Sequence, residues 1–380
     1  MNLLCVFAIV KLVSPINDTE VRLIDAEVER VMSLPTYENR LKALRGVRSK
    51  HSWRESLPVV FTWTADKADG KVFELSVGKD ADRMTRRGVR FESLPTNGEG
   101  RVVCRYLLPC ANLETGASYV WSVRARDGRD KPVVGRFKTH DLAPRWIALE
   151  GRVHNIRDLG GRRTVDGCRV RQGLVYRGEG LNDNRLIGKM AGPNRLTVED
   201  QRYLTGTLGI KTDLDLRSTT EVGDLAESPM GKGVRFIHNP SRAYKGIFEA
   251  EGMAAIRRSF AVLADRSNYP IYFHCIGGAD RTGSLAYLLN GVLGVSEHDA
   301  ETDWELTFYP RRLPELTSEY TGVDYWRREG HFREGLEKYG SKTSSWQQLV
   351  VEYLMACGVT KDELDSIRRI LLEKGAENAD

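Results

Sequence analysis

Residues 270–293 read PIYFHCIGGADRTGSLAYLLNGVL. The apolar run IYFHC reads as a strand ending at Cys275, and TGSLAYLLNGVL as a helix that starts just after Arg281. The segment between them is a strand-to-helix loop. Such a loop points its backbone N–H groups, and the positive end of the helix, into one small bowl. Gly277, Gly278 and Ala279 keep side chains out of the way, and glycine admits backbone conformations that bulkier residues resist. Arg281 can fold back beside Cys275, and a guanidinium holds two phosphate oxygens at once, which an ammonium cannot. This order of residues suits a grip on a phosphate dianion.

The same stretch carries a chemistry. Amide dipoles, the helix N-terminus and Arg281 all favour a thiolate at Cys275. That thiolate can attack phosphorus in line while Arg281 and the amides of His274, Ile276, Gly277, Gly278, Ala279 and Gly283 surround the oxygens. A cysteinyl-phosphate follows, which water hydrolyses. Thr282 stands where it can donate a hydrogen bond to the departing sulfur, and His274 orients the loop through its ring nitrogens. Asp280 is the nearest group to protonate the leaving oxygen and is the candidate general acid. A carboxylate there can instead pair with Arg281 or cap the helix. The other candidate acids are Asp158, Asp213, Asp215 and Asp224. A buried cysteine and a surface arginine in chance arrangement would not call for the preceding His, the small residues and the following Thr-Gly.

Outward from this loop, TDLDLRS (212–218) and PIYFHC (270–275) read as short strands, with helices over 248–264, 282–294, 297–308, 344–356 and 361–373. Thr360 with Glu363 forms a capping box, and Thr197 opens a similar start. Strands alternating with helices indicate an α/β domain with a mostly parallel sheet covered on both faces. That domain is expected over 143–380, after a linker at HDLAPRWIALEG. Residues 55–142 have another texture. VVFTWTA and SYVWSVRARDG alternate, with Val59, Phe61 and Trp63, then Tyr119, Trp121, Val123 and Ala125, on the inward face. Short alternating strands between turn residues indicate an antiparallel β-sandwich. Residues 1–54 are expected to be largely helical, since Val21, Ile24, Val28 and Val31 lie at helical spacing.

Composition narrows the function classes. A chain of 380 residues with 41% hydrophobic and 29% charged residues is globular, with room for two domains. A net charge of +5 mildly favours anionic partners, but the basic residues are scattered and mixed with acids, so nucleic acid is not an expected partner. The six cysteines (5, 104, 110, 168, 275, 357) contain no CxxC pair, so no metal site and no cofactor are expected. Cys104 and Cys110, the one close pair, read as buried free thiols in preference to a disulfide. The apolar run Leu3–Val10 is too short to span a membrane. It reads either as a degenerate signal segment over 1–14 without its basic region, which favours an extracytoplasmic location, or as a first strand or helix of a cytoplasmic protein.

HCIGGADRTG resembles the signature loop of cysteine-dependent protein tyrosine phosphatases. NIRDLGG (155–161), GLVYRGEGL (173–181), TDLDLRSTTEV (212–222) and DWELT (303–307) resemble segments of the bacterial tyrosine/serine phosphatase family. The resemblance spans about 150–375. It implies an α/β phosphatase domain with a helical lid, with Cys275 as nucleophile, Arg281 as phosphate ligand and Asp280 as loop-borne acid. The implied substrates are phosphorylated proteins or peptides, above all phosphotyrosine, with dual specificity and inositol phosphates or phosphoinositides as alternatives. The lysine that usually precedes Asp-Arg is Ala279 here, which favours a single phosphate monoester. In the family-like segments, Arg157, Asp158, Arg177 and Arg217 can line the mouth of the site or brace its loops as buried Arg–Asp pairs. LETGASYVW similarly resembles the tyrosine-corner region of fibronectin type III domains, which implies a spacer or a docking surface for protein or glycan. The reading of another class is a phospho-ligand binding module without turnover.

Overall fold

The computed structural model describes residues 10–44, 53–65, 72–79, 85–89, 92–94, 101–108, 112–126, 131–183, 186, 189–309, 332–341 and 343–373. Cys5, Cys110 and nearly all of the apolar run 3–10 lie outside these residues, as does most of VDYWRREGHF (323–332). The chain divides into two compact units, residues 1–25 with 56–142 and residues 26–55 with 143–380.

The described residues of the first unit form nine strands: β1 Val10–Ser14, β2 Thr19–Val21, β3 Val59–Ala65, β4 Phe73–Gly78, β5 Thr85–Val89, β6 Glu92–Leu94, β7 Val102–Leu108, β8 Ser118–Ala125 and β9 Val133–Thr139. They form a four-stranded sheet in the order β1-β3-β7-β6 and a five-stranded sheet in the order β2-β9-β8-β4-β5. All pairs are antiparallel except β2 with β9. Alternation puts Phe61 and Trp63 of β3 and Tyr119, Trp121 and Val123 of β8 into one shared core with Phe73 and Phe137. Cys104 is a free thiol in that core. The Tyr119 hydroxyl accepts the N–H of Glu114 five residues upstream (2.9 Å), which ties down the turn before β8.

Residues 1–54 are not one helical segment. The described residues 10–25 contribute β1 and β2 to the two sheets, and only α1 Ala26–Met32 and α2 Tyr37–Leu44 are helical, both in the second unit. The apolar spacing across Val21 to Val31 joins two different elements: Val21 is paired with Thr139 in a sheet. Pro35 then separates the helices, since proline disfavours helix in the residue before it.

The second unit is organised by a six-stranded sheet of β10 Arg145–Trp146, β11 Arg157–Asp158, β13 Val175–Gly178, β14 Thr212–Asp215, β15 Arg235–His238 and β16 Ile271–His274, in the order β10-β11-β13-β16-β14-β15. The four strands β13, β16, β14 and β15 are parallel, while β11 pairs antiparallel with β13 and the edge strand β10 pairs antiparallel with β11. A small ribbon pairs β12 Arg169–Val170 with β17 Leu372–Glu373, so the last expected helix, 361–373, stops at Leu371. Among the described residues the further α-helices are α3 Val198–Arg202, α4 Thr219–Val222, α5 Ala250–Ala264, α6 Asp280–Leu293, α7 Glu297–Glu305, α8 Phe332–Leu336, α9 Trp346–Ala356 and α10 Lys361–Leu371. Capping boxes start α3 at Thr197 and α10 at Thr360.

Alternation along the strands covers both faces of the sheet. Val175, Leu214, Ile271 and Phe273 face a large core with Ile256 and Phe260 of α5, Leu288 and Leu289 of α6 and Ile367 of α10. Tyr176 and Tyr272 face a smaller core with Ile156, Leu204 and Met230. Each such buried side chain contributes roughly 1.5–3 kcal/mol. Helix α6 is buried on nearly every side, so its first turn is held rigidly at the carboxyl end of the central strand β16. In open α/β sheets that edge is where ligands bind.

Candidate active site

The loop 275–279 joins β16 to α6, and five successive carbonyls in it are held by donors. His274 Nδ1 lies 3.0 Å from the Cys275 carbonyl oxygen. Gly180 N donates to the Ile276 carbonyl (2.9 Å), Asn155 Nδ2 to that of Gly277 (3.0 Å), Arg177 Nη2 to that of Gly278 (2.8 Å) and Trp304 Nε1 to that of Ala279 (3.1 Å). In a trans peptide the N–H points opposite to its C=O. With the carbonyls claimed from outside, the N–H groups turn inward. Among the described residues no hydrogen bond starts from the amide nitrogens of Ile276 to Arg281. Two glycines are needed for this shape. Gly278 sits at φ 65°, and a Cβ on it would lie 2.4 Å from the Gly178 carbonyl oxygen. Gly283, grouped with the loop in the sequence, is a helix residue whose bare backbone admits Trp304; a Cβ there would lie 2.0 Å from the indole.

Beneath the loop lies a buried charge cluster. Asp303 on α7 accepts from Arg157 Nε (3.1 Å), Arg162 Nη2 (2.8 Å) and Arg177 Nη1 (2.6 Å). Arg157 in turn donates to Asn155 Oδ1 (2.6 Å). Asp303 therefore aims Arg177 at the Gly278 carbonyl directly, and Arg157 helps aim Asn155 at that of Gly277. Burial disfavours these charges. It pushes Arg157 down to about 9, with Arg177 adding to the effect and Asp303 opposing it. Burial also lowers Arg177, against the pull of Asp303. For Asp303 burial works upward, but the three guanidiniums outweigh it and hold the carboxyl well below its usual range. Arg157 and Arg177 are fully buried and do not line the mouth. Asp158 accepts from the N–H groups of Gly160 (2.8 Å) and Gly173 (2.6 Å), remote from the loop's hydrogen bonds.

Arg281 forms a two-pronged pair with Glu221 of α4, Nη1 to Oε2 at 2.5 Å and Nη2 to Oε1 at 3.0 Å. Glu221 also accepts from the backbone N–H of Ser218 (2.6 Å). Burial alone would raise the Glu221 carboxyl, but Arg281 and Ser218 overcome it and bring it down to about 2. Burial likewise works against Arg281, and the bond to Glu221 and the charge of Cys275 outweigh it, so its pKa rises. Cys275 is 2% exposed. Thr282 Oγ1 is buried without a hydrogen-bond partner among the described residues, which leaves it available to the loop.

His274 is buried with Nε2 3.0 Å from Asp213 Oδ1, an ion-pair contact outside hydrogen-bond alignment. Burial opposes charge on its ring, and the carboxylates of Asp215 and Asp213 outweigh burial and raise its pKa. Asp215 also holds Arg217 through Nε (3.0 Å) and Nη2 (2.6 Å), and Asp213 accepts from Ser228 (2.6 Å). Asp224 accepts the N–H of Ala191 (2.6 Å). Each of these three carboxylates thus has a bracing partner away from the loop. Asp280 is the first residue of α6, and its Oδ1 accepts from the hydroxyl of Tyr244.

A cavity of about 410 Å³ adjoins the loop, lined by Arg152, Glu179, Asn182, Arg195, Arg217 and, from the loop itself, Ile276. Among the described residues no group of His, Cys, Asp or Glu is arranged to hold a metal ion, and no helix is long and apolar enough to cross a membrane.

The sequence reading found the loop but missed most of what holds it. Asn155, Asp303, Trp304 and Glu221 all lie inside the family-like segments, so their positions were flagged and their partners were not. Tyr244 carried no signal, because its neighbour Asp280 is brought to it only by folding.

The model of the tyrosine phosphatase family matches residues 147–373. A candidate tyrosine-protein phosphatase of Cupriavidus necator is 28% identical over 188 residues, which cover 41% of this chain and 64% of that protein. The chain thus spans somewhat less than two thirds of the length of that curated relative. Among solved structures, the core catalytic domain of the PP-IP phosphatase SIW14 from S. cerevisiae, in complex with citrate, aligns at 13% identity with a TM-score of 0.25, covering 41% of this chain and 91% of that one.

Proposed function

Since this chain belongs to the tyrosine phosphatase family, we propose that it hydrolyses phosphate monoesters through a cysteinyl-phosphate, with phosphotyrosine in a protein or peptide as the substrate. The observation that carries the reading is the outward capture of the loop carbonyls of residues 275 to 279, which turns a row of N–H groups inward above a buried cysteine. In the proposed reaction Cys275 Sγ attacks phosphorus, the P–O bond to the leaving group breaks, and Asp280 gives the leaving oxygen a proton. The loop amides and Arg281 hold the three equatorial oxygens. Water then attacks phosphorus, Asp280 takes its proton, and the P–S bond breaks with its electron pair returning to sulfur, to which Thr282 donates a hydrogen bond. His274, Asn155, Arg177 and Trp304 keep the cradle in shape.

The test is hydrolysis of para-nitrophenyl phosphate by the whole chain and by Cys275→Ser. The reading expects turnover in the first and none in the second. A chain that binds phosphate but never turns over would instead be a phospho-ligand binding module.

A second reading is supported by the cavity beside the loop. Among the described residues Ile276 supplies the sole apolar side chain of its lining, while arginines, carboxylates and an amide supply the rest. Such walls suit the hydroxyls and further phosphates of an inositol phosphate better than a phenyl ring. Turnover of a phosphotyrosine peptide against that of an inositol phosphate separates the two. The two-sheet unit, with its Tyr119–Glu114 corner, supports a fibronectin type III-like module that acts as a spacer or docks a protein or glycan.

A further inference from the structure

The first turn of α6 sets up a conflict. Asp280 is the first helical residue, and no side chain caps the helix at Ala279. A carboxylate there is attracted by the N–H groups of its own turn and by the guanidinium beside it. Those are the groups that would grip a phosphate. A carboxylate folded onto them would occupy the cradle as a permanent competing anion.

Tyr244 gives Asp280 another partner. Its hydroxyl donates to Asp280 Oδ1. The residue is fixed at both ends to the same turn: its N–H donates to Ser284 Oγ (3.2 Å), and Ser284 Oγ donates to the Asp280 carbonyl (2.8 Å). Its backbone lies at φ 54°, a conformation rare for a bulky residue and maintained only where the surroundings impose it. Its ring meets Trp304 and Phe332 edge-on, with centroids 6.4 Å away in each case. Trp304 is itself bonded to the Ala279 carbonyl, so the phenol and the loop share one support. Asp280 Oδ2 makes no hydrogen bond among the described residues.

We propose that Tyr244 is a positioning residue that holds the Asp280 carboxylate out of the phosphate cradle and presents Oδ2 to the leaving oxygen. The first half rests only on reading the loop as a phosphate site. The second half rests also on Asp280 as the acid.

Tyr244→Phe removes the hydroxyl and keeps the ring that packs on Trp304 and Phe332. Tungstate, an unreactive tetrahedral oxyanion, is titrated into the whole chain, Tyr244→Phe, Asp280→Asn and the double variant. Tyr244→Phe is expected to weaken tungstate by about tenfold, the scale of a hydrogen bond to a charged group. In the Asp280→Asn background the same change is expected to cost nothing, because no carboxylate remains to invade the cradle. Equal affinity of Tyr244→Phe and wild type overturns the proposal, and so does a loss that persists undiminished in the double variant. Arg281→Lys separates this failure from failure of the loop reading: if it binds tungstate as wild type does, the cradle itself is misassigned. For the second half, the ratio of kcat on phenyl phosphate to kcat on para-nitrophenyl phosphate is expected to fall in Tyr244→Phe, since the poorer leaving group depends more on the acid. An unchanged ratio overturns that half.

Discussion

The turn before β8 and the loop after β16 are both short connections beside a tryptophan-containing core, yet they use their backbones in opposite ways. In the first unit the strands around Tyr119 satisfy one another across ladders, and two side chains of adjacent strands close the corner: Tyr119 accepts the N–H of Glu114, and Thr139 Oγ1 donates to the Glu114 carbonyl and accepts the N–H of Ala117. In the loop the carbonyls are satisfied by Asn155, Gly180, Arg177 and Trp304, drawn from three separate segments, while the amides of Ile276 to Arg281 find no partner among the described residues. One backbone is closed by its neighbours. The other is left half open for an outside oxyanion, and distant residues must keep it so. Local order in the first unit is a matter of pattern; local order in the loop is a matter of long-range support.

The largest test of that contrast is Arg177→Met. It leaves Asp303 with one guanidinium fewer and the Gly278 carbonyl without its donor, so a loss of about 3–5 kcal/mol in urea unfolding is expected. Turnover should fall with it at temperatures where the chain remains folded. A stable, fully active variant would break the idea that the loop is held from afar.

Next comes pH. Glu221 has a folded-state pKa of about 2 against an ordinary 4.5, so its pairing stabilises the folded chain above about pH 4.5 and is lost as pH falls toward about 2. The stability advantage of wild type over Glu221→Gln should therefore be full at pH 6 and shrink steadily through pH 4 and 3. An advantage that stays constant over that range would remove Glu221 as the clamp on Arg281.

The smallest test sets the two connections side by side. Tyr119→Phe deletes one hydrogen bond to the backbone, worth about 1 kcal/mol of stability, while Asn155→Ala deletes its bond to the Gly277 carbonyl and also the acceptor of buried Arg157 Nη1, at a cost of about 2 kcal/mol. The comparison sharpens if only Asn155→Ala also lowers kcat/KM on para-nitrophenyl phosphate, and it blurs if both do or neither does.

The same contrast explains what could be seen in the sequence. The inward faces of β3 and β8 were readable because alternation is a property of consecutive residues, and Phe61, Trp63, Tyr119 and Trp121 are buried as their spacing requires. The loop was readable because its small residues, Cys275 and Arg281 are also consecutive or nearly so. Its supports were not, since Asn155 lies 122 residues from Gly277 and Arg177 lies 101 from Gly278. The role of Arg157 and Arg177 as buried braces depends on Asp303, which α7, packed against α6, brings to them from more than 120 residues away in the chain. The spacing of Val21, Ile24, Val28 and Val31 misleads because periodicity cannot register that Val21 belongs to a strand and Val28 to a helix.

Gly277 is the member of the loop whose missing side chain serves no packing need. A Cβ there would meet nothing within 4 Å, unlike those at Gly278 and Gly283. A side chain can therefore be added at this position without a clash with the scaffold. Because Gly277 also lines the neighbouring polar cavity, a larger residue there is expected to narrow that chamber while leaving the scaffold intact.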